Sequence, residues 1–308
     1  MINGELEMSY AFYPGCVIPL QTPNYESSAR AVMKEMGVPL VEIEEFGCCG
    51  ILANPLDGFT SLTYAAINIA LAEAKDMDII TLCNGCFGTL SKAVHQLEDE
   101  VTREKVNHIL KEIGLEILGK TRVYHFHQIL YDKIGLDELK KRMKVDMSAI
   151  NIGCHHGCHV LKPTDVLNYD KAAYPRKLES MVSATGAQVI TPQGFEHCCG
   201  SLLMPHDQDT SYAFAVRAVE QKGEVDAIIV NCPGCFRQLD LGQVMAKRKF
   251  NKMLNIPVIF YTQLLGLALG IDPKHLGLET IHKIKTTTLL QKVFTDNKLR
   301  SNLRGCTT

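Results

Sequence analysis

Ten of the twelve cysteines in this 308-residue chain fall into two matching sets of five, and no other feature restricts the fold so strongly. Cys16 is followed after 31 residues by Cys48-Cys49-Gly50, and after a further 33 by Cys83-Asn84-Gly85-Cys86-Phe87. Cys158 is followed after 39 residues by Cys198-Cys199-Gly200, and after a further 32 by Cys232-Pro233-Gly234-Cys235-Phe236. The flanks repeat as well: residues 77–82 before one C-x-x-C match 225–230 before the other, and 123–130 echo 258–265. Self-similarity over most of both halves means that one supersecondary plan is used twice.

Within each half, apolar runs of strand length precede the C-x-x-C, and helical periodicity follows the C-C-G, over 62–75 and 211–222. Thr22-Pro23 and Gly37 bracket a helix in the first half; Pro175 and Gly186 bracket its counterpart. Segment 87–119 reads as polar and helical, with Gly114 as a stop. This alternation predicts an α/β fold of two pseudo-symmetric repeats, each a small, mainly parallel sheet flanked by helices and bearing a cysteine-rich site. The division falls near Met147. It gives a first domain over 1–147 with a helical insertion, a second over 148–271, and a basic C-terminal segment over 272–308. That segment carries seven Lys or Arg against three Asp or Glu, and reads as a solvated tail or as a docking surface for a partner.

With 46% apolar and 21% charged residues the chain is an ordinary packed protein, and a net charge of -2 argues against work on a nucleic-acid backbone. Glu5 and Glu7 stand where a signal peptide would be basic, so the expected location is cytoplasmic and reducing. Residues 253–271 lack charge, but Pro257, Gly266 and Gly270 make them a buried strand feeding a short helix rather than a membrane span. A chain of this length in a reducing compartment needs no disulfides, so its thiols serve something else.

C-x-x-C between a strand and a helix aims two sulfurs at one point, where the helix N-terminus favours negative charge. A thioredoxin-like pair would leave three cysteines idle in each half, and a structural zinc takes four ligands rather than five. An iron-sulfur cluster fits better, because thiolates hold it and bridging positions can use surplus sulfur. Adjacent cysteines on a tight loop suit neighbouring irons, and five thiolates exceed the four of a cubane. A cluster of unusual geometry is therefore expected in each half.

The pattern C-x31-CC-x33-C-x-x-C, then C-x39-CC-x32-C-x-x-C, resembles the duplicated cysteine-rich CCG domain of heterodisulfide reductase B subunits, over about residues 11–270. The resemblance implies that Cys16, Cys48, Cys49, Cys83 and Cys86 hold one noncubane four-iron four-sulfur cluster, and Cys158, Cys198, Cys199, Cys232 and Cys235 a second. It also implies reduction of the mixed disulfide of coenzyme M and coenzyme B, a reaction of methanogenesis. The implied partners are a ferredoxin-like C subunit and a flavin-bearing A subunit in an electron-bifurcating complex, with a hydrogenase or formate dehydrogenase as further partners. The chain has neither a ferredoxin cysteine run nor G-x-G-x-x-G of its own, which agrees with electrons arriving from elsewhere. Related CCG proteins leave other readings open: subunits of glycolate or lactate oxidation complexes, thiol-driven fumarate reductase or succinate dehydrogenase, or a scaffold that only relays electrons.

Family spacing favours Cys158 over Cys154 as the first ligand of the second set, leaving Cys154 as a small buried residue or a spare ligand. Cys306 reads as an incidental free thiol. Two facing clusters can each take one substrate sulfur as the S–S bond parts. Release of thiols then needs protons, and His155, His156, His159 and His197 lie near the motifs, with His159 the candidate donor. Lys162, Arg217 and Arg237 are candidate partners for the acidic groups of the substrate.

Overall fold

Four parallel strands form the base of each half. The computed structural model describes residues 9–190 and 196–304. The first half runs β1 (Tyr10–Tyr13), α1 (Val17–Gln21), α2 (Pro23–Met36), β2 (Leu40–Glu42), α3 (Gly58–Glu73), β3 (Asp78–Thr81), α4 (Asn84–Gln96), α5 (Glu100–Leu110) and β4 (Val123–His125). Helix α6 (Phe126–Gln128), a π-helical turn (Ile129–Ile134) and α7 (Leu136–Lys141) lead to the second half. That half runs β5 (Asn151–His155), α8 (Thr164–Leu167), α9 (Lys177–Ala184), β6 (Gln188–Val189), α10 (Gln208–Glu220), β7 (Ala227–Val230), α11 (Pro233–Phe250), β8 (Val258–Phe260), α12 (Tyr261–Ala268) and α13 (Thr287–Arg304). The sheet orders are β2-β1-β3-β4 and β6-β5-β7-β8, all parallel, as the duplicated motif predicts.

Several boundaries move, each for a local reason. Helix α3 starts at Gly58 rather than near 62, because the Asp57 carboxylate accepts the backbone N–H groups of Phe59 and Thr60. Asp207 caps α10 in the same way through Thr210. The segment expected to be one helical stretch after Phe87 is broken between α4 and α5, where Asp99 starts a new helix. Pro23 does occupy the first turn of α2, but Pro175 lies outside α9, whose cap position is Arg176.

Alternation along β1 divides the interior. Ala11 and Tyr13 face a core confined to the first half, which also holds Leu62, Ile69, Ile79 and Leu90. Tyr10 and Phe12 face a larger core that continues through Ile228, Phe260 and Leu264 of the second half. The C-terminal segment joins that larger core through Leu276, Leu278, Leu289 and Val293, and Lys292 pairs with Asp226 at 2.7 Å. Up to Val293 it is thus packed rather than a solvated tail. Residues 258–268 form β8 and α12, a strand feeding a short helix as expected, and among the described residues no helix is long and apolar enough to cross a membrane.

Candidate metal centre

In each sheet the chain leaves the first strand to one side and returns on the other. The crevices between β1 and β3, and between β5 and β7, are therefore topological switch points at the carboxyl ends of strands, where open α/β sheets bind ligands. Cysteines occupy both lips. Cys16 lies three residues beyond β1, while Cys83 takes the cap position of α4 and places Cys86 in its first turn. Cys158 and the α11 cap residue Cys232 repeat the arrangement. The positive ends of α4 and α11 thus face the site and favour thiolates.

The C-C-G loops complete each set. Gly50 has φ +85° and Gly200 φ +78°, and a β-carbon there would come within 2.7 Å of the Ser61 carbonyl or 2.6 Å of the Ser211 carbonyl. Only glycine lets these loops lie on α3 and α10, where Ser61 and Ser211 donate to the carbonyls of Gly50 and Gly200 at 2.9 and 2.8 Å. The same glycines donate backbone N–H to Cys48 and Cys198 Sγ, each at 3.4 Å.

The thiols converge. Cys86 neighbours both Cys49 and Cys83, and Cys16 neighbours Cys48. In the second half the chain of contacts runs Cys158, Cys198, Cys199, Cys235, Cys232, with Cys199 and Cys235 Sγ 3.5 Å apart. Hydrogen bonding from Cys86 brings Cys49 down to about 7, and Cys158 and Cys199 bring Cys198 down to about 2. Their donors are pushed the other way: Cys86 by its bond to Cys49, and Cys158 by its bond to Cys198. Protons held between crowded sulfurs are those that a metal displaces on binding. All eleven described cysteines are free, which suits ligands rather than staples. Cys306 lies outside the described residues.

The two sets also meet each other. Cys83 of the first half and Cys232 of the second are neighbours that perturb one another's titration, across 149 residues of sequence. Asn84 ties this junction by donating to the His156 carbonyl at 2.8 Å and to Asn231 Oδ1 at 3.2 Å. The loop after Cys158 lies on α4, so close that a β-carbon on Gly88 would be 2.6 Å from the His159 carbonyl.

Among the candidate residues, His159 is half-buried at this crossing, and burial holds its imidazole below the usual range. His156 is buried against Glu179 at 2.8 Å; desolvation opposes its charging, but bonds to Glu179 and Glu196 prevail and raise it to about 9. His197 is half-buried, its backbone N–H bound by Gln221. Lys162, Arg217 and Arg237 are exposed, on the loop before α8, on α10 and on α11. Cys154 is buried in β5 opposite Ile229, within the shared core. Sequence reasoning passed over Glu196, Asn84 and Asn231. Comparison of the repeats position by position would have flagged Glu196, which stands where the first copy has Phe46.

The profile of the cysteine-rich domain CCG matches residues 10–91 and 152–240, spans that contain all ten motif cysteines. The chain belongs to the CCG family, with the domain present twice. It is 32% identical to the B subunit of the ferredoxin/F420H2-dependent CoB-CoM heterodisulfide reductase of Methanosarcina acetivorans, over 92% of this chain and 96% of that one. It is 30% identical to the 8-methylmenaquinol:fumarate reductase membrane anchor subunit of Wolinella succinogenes, over 92% of this chain and 100% of that one. The crystal structure of a hypothetical protein from Helicobacter pylori superposes with a TM-score of 0.71 at 17% identity, covering 91% of this chain and 52% of that one. That likeness shows a shared fold. The donor set fits the iron-sulfur chemistry expected of the two sites: five free motif cysteines in each half, and glycines at 15 and 157 whose β-carbons would press on Cys86 and Cys235 Sγ.

Proposed function

We propose that this CCG protein is the catalytic subunit of a heterodisulfide reductase, splitting the mixed disulfide of coenzyme M and coenzyme B into two thiols. The observation that carries the reading is the junction of the two thiol sets, where Asn84 and Asn231, the chain neighbours of Cys83 and Cys232, are hydrogen-bonded at 3.2 Å. Cleavage of R–S–S–R′ consumes two electrons and two protons, and two adjoining one-electron centres match that demand. The ten cysteines would hold two four-iron four-sulfur clusters, of the noncubane type the resemblance implies, which would supply electrons and iron sites for sulfur when bound. His159, at the crossing of the two halves, hands protons to the departing sulfurs. Lys162, Arg217 and Arg237 attract the acidic ends of the substrate. Electrons reach the chain from a ferredoxin-like C subunit and a flavin-bearing A subunit in a bifurcating complex; that the Methanosarcina relative is named as one subunit of a larger reductase supports the need for partners.

Anaerobically purified protein should contain about eight irons and as many acid-labile sulfides per chain. Adding the heterodisulfide to the reduced protein should give a new, substrate-dependent paramagnetic signal, and Cys198→Ser should lose both that signal and disulfide reduction. Four irons or fewer would break the two-cluster reading. The Wolinella relative favours a second reading, a subunit of another oxidoreductase or an electron relay; cluster oxidation by fumarate in the assembled complex, without a heterodisulfide-dependent signal, would establish it.

A further inference from the structure

The two thiol sets are not lined alike, and the difference concentrates at one pair of side chains. Aligning Cys16 with Cys158 and Cys48 with Cys198 places Tyr13 opposite His155 and Phe46 opposite Glu196. In the first half Tyr13 and Phe46 pack edge to face at 5.1 Å, and the Tyr13 hydroxyl donates to the Gly47 carbonyl at 2.6 Å. That hydroxyl is committed to the backbone. In the second half the corresponding pair is polar. His155 Nδ1 is 3.5 Å from Glu196 Oε1, and the imidazole is 99% buried.

Glu196 has donors enough without His155. Its carboxylate accepts the backbone N–H of His156 at 2.9 Å and of Gly157 at 3.0 Å. It also lies 3.4 Å from both His156 Nδ1 and the buried Lys222 ammonium. Neither ring nitrogen of His155 has a hydrogen-bond partner among the described residues. Either tautomer of a neutral imidazole carries one N–H, and a buried donor left without an acceptor is destabilising. The nearest candidates are sulfurs: a ring nitrogen of His155 and the Sγ atoms of Cys199 and Cys235 all lie within 4.8 Å of one another.

We infer that His155 donates its N–H to a sulfur of the second cluster, making this centre polar-lined and the first aromatic-lined. Hydrogen bonds to sulfur stabilise the more negative, reduced state and so raise a cluster's potential. The second centre is then the electron sink of the pair, and the first, lined by Tyr13 and Phe46, passes electrons on to it. This rests on the proposed reading that the second thiol set holds a cluster.

The test uses the full chain, loaded with iron and sulfide anaerobically, as wild type, His155→Leu and His155→Gln. Redox titration followed by electron paramagnetic resonance should resolve two midpoints. In His155→Leu one of them should fall by roughly tenfold in the one-electron equilibrium, about 59 mV, while the other stays put. His155→Gln keeps an N–H and should recover part of the shift. Wild type with 15N-labelled histidine in deuterated buffer should show a weak nitrogen coupling and an exchangeable deuteron at one centre only. That measurement decides the matter if His155→Leu fails to load. Full iron with unchanged midpoints in His155→Leu, or no histidine coupling in the wild type, overturns the inference and leaves the two-cluster reading intact. Absence of iron from the wild type defeats the two-cluster reading first, and with it this one.

Discussion

A single β-carbon is enough to disturb a thiol set. Gly15 has φ +68°, and a β-carbon there would lie 2.9 Å from Cys86 Sγ; Gly157 has φ +73° and would crowd Cys235 Sγ at 3.2 Å. Two penalties act at once in Gly15→Ala. The left-handed backbone costs about 1–2 kcal/mol for a residue with a β-carbon, and the methyl pushes a ligand sulfur off its position. Gly114→Ala separates them, since Gly114 has φ +74° with nothing within 4 Å. On the proposed two-cluster reading, Gly15→Ala should bind roughly half the wild-type iron with unchanged far-ultraviolet circular dichroism. Gly114→Ala should lower the melting temperature and keep its iron. Equal iron loss in both would mean that backbone strain alone, not contact with Cys86, governs assembly.

The helices after the C-C-G loops decide how firmly those loops are held, and the two copies do so differently. Asn68 on α3 accepts the Gly47 N–H at 2.8 Å and donates to the carbonyls of Cys48 at 3.1 Å and Tyr64 at 2.8 Å. The residue in register on α10 is Ala218, and there Gln221 instead accepts the His197 N–H at 3.1 Å. Asn68→Ala strands part-buried backbone groups and should destabilise by about 1 kcal/mol, read as a lower urea midpoint with an unchanged slope. Iron should be lost chiefly from the first centre; an unchanged midpoint would show that the loop is held by its cysteines alone. The repeat made the strands, the order of elements and the ten cysteines legible in sequence, because strand length, helical period and Cys spacing are local patterns. Asp57 and Asp207 were local as well, but helix starts read from the onset of apolar periodicity pass over a cap four or five positions upstream. The His155–Glu196 and Cys83–Cys232 contacts had no local signal, since they join residues 41 and 149 positions apart.

At the scale of the molecule, duplication has not left two separable units. Helix α2 of the first half packs on α12 of the second, where Tyr25 stacks on Phe260 with centroids 3.8 Å apart and planes 7° from parallel. The Tyr25 hydroxyl donates to the Asn231 carbonyl at 3.2 Å, and Ser28 meets Thr262 at 2.7 Å. Each half thereby supports the other's cluster loop, since Asn231 precedes Cys232 and Asn84 reaches the carbonyl of His156. Cutting the chain at Met147 would expose the face of the first sheet bearing Tyr10 and Phe12, together with Tyr25 and Met33, all now in the shared core. Residues 1–147 expressed alone should therefore keep far-ultraviolet helicity, lose near-ultraviolet signal and bind a hydrophobic dye. Co-expression with residues 148–308 should restore the packed state, because the lost contacts are between halves rather than within one. Tyr25→Ala in the intact chain should cost about 3–5 kcal/mol, comparable to other large-to-small changes of buried aromatics. A first half that melts cooperatively on its own would show that the core confined to it, around Leu62, Ile79 and Leu90, suffices, and that the contact between Cys83 and Cys232 is made by docking two finished domains.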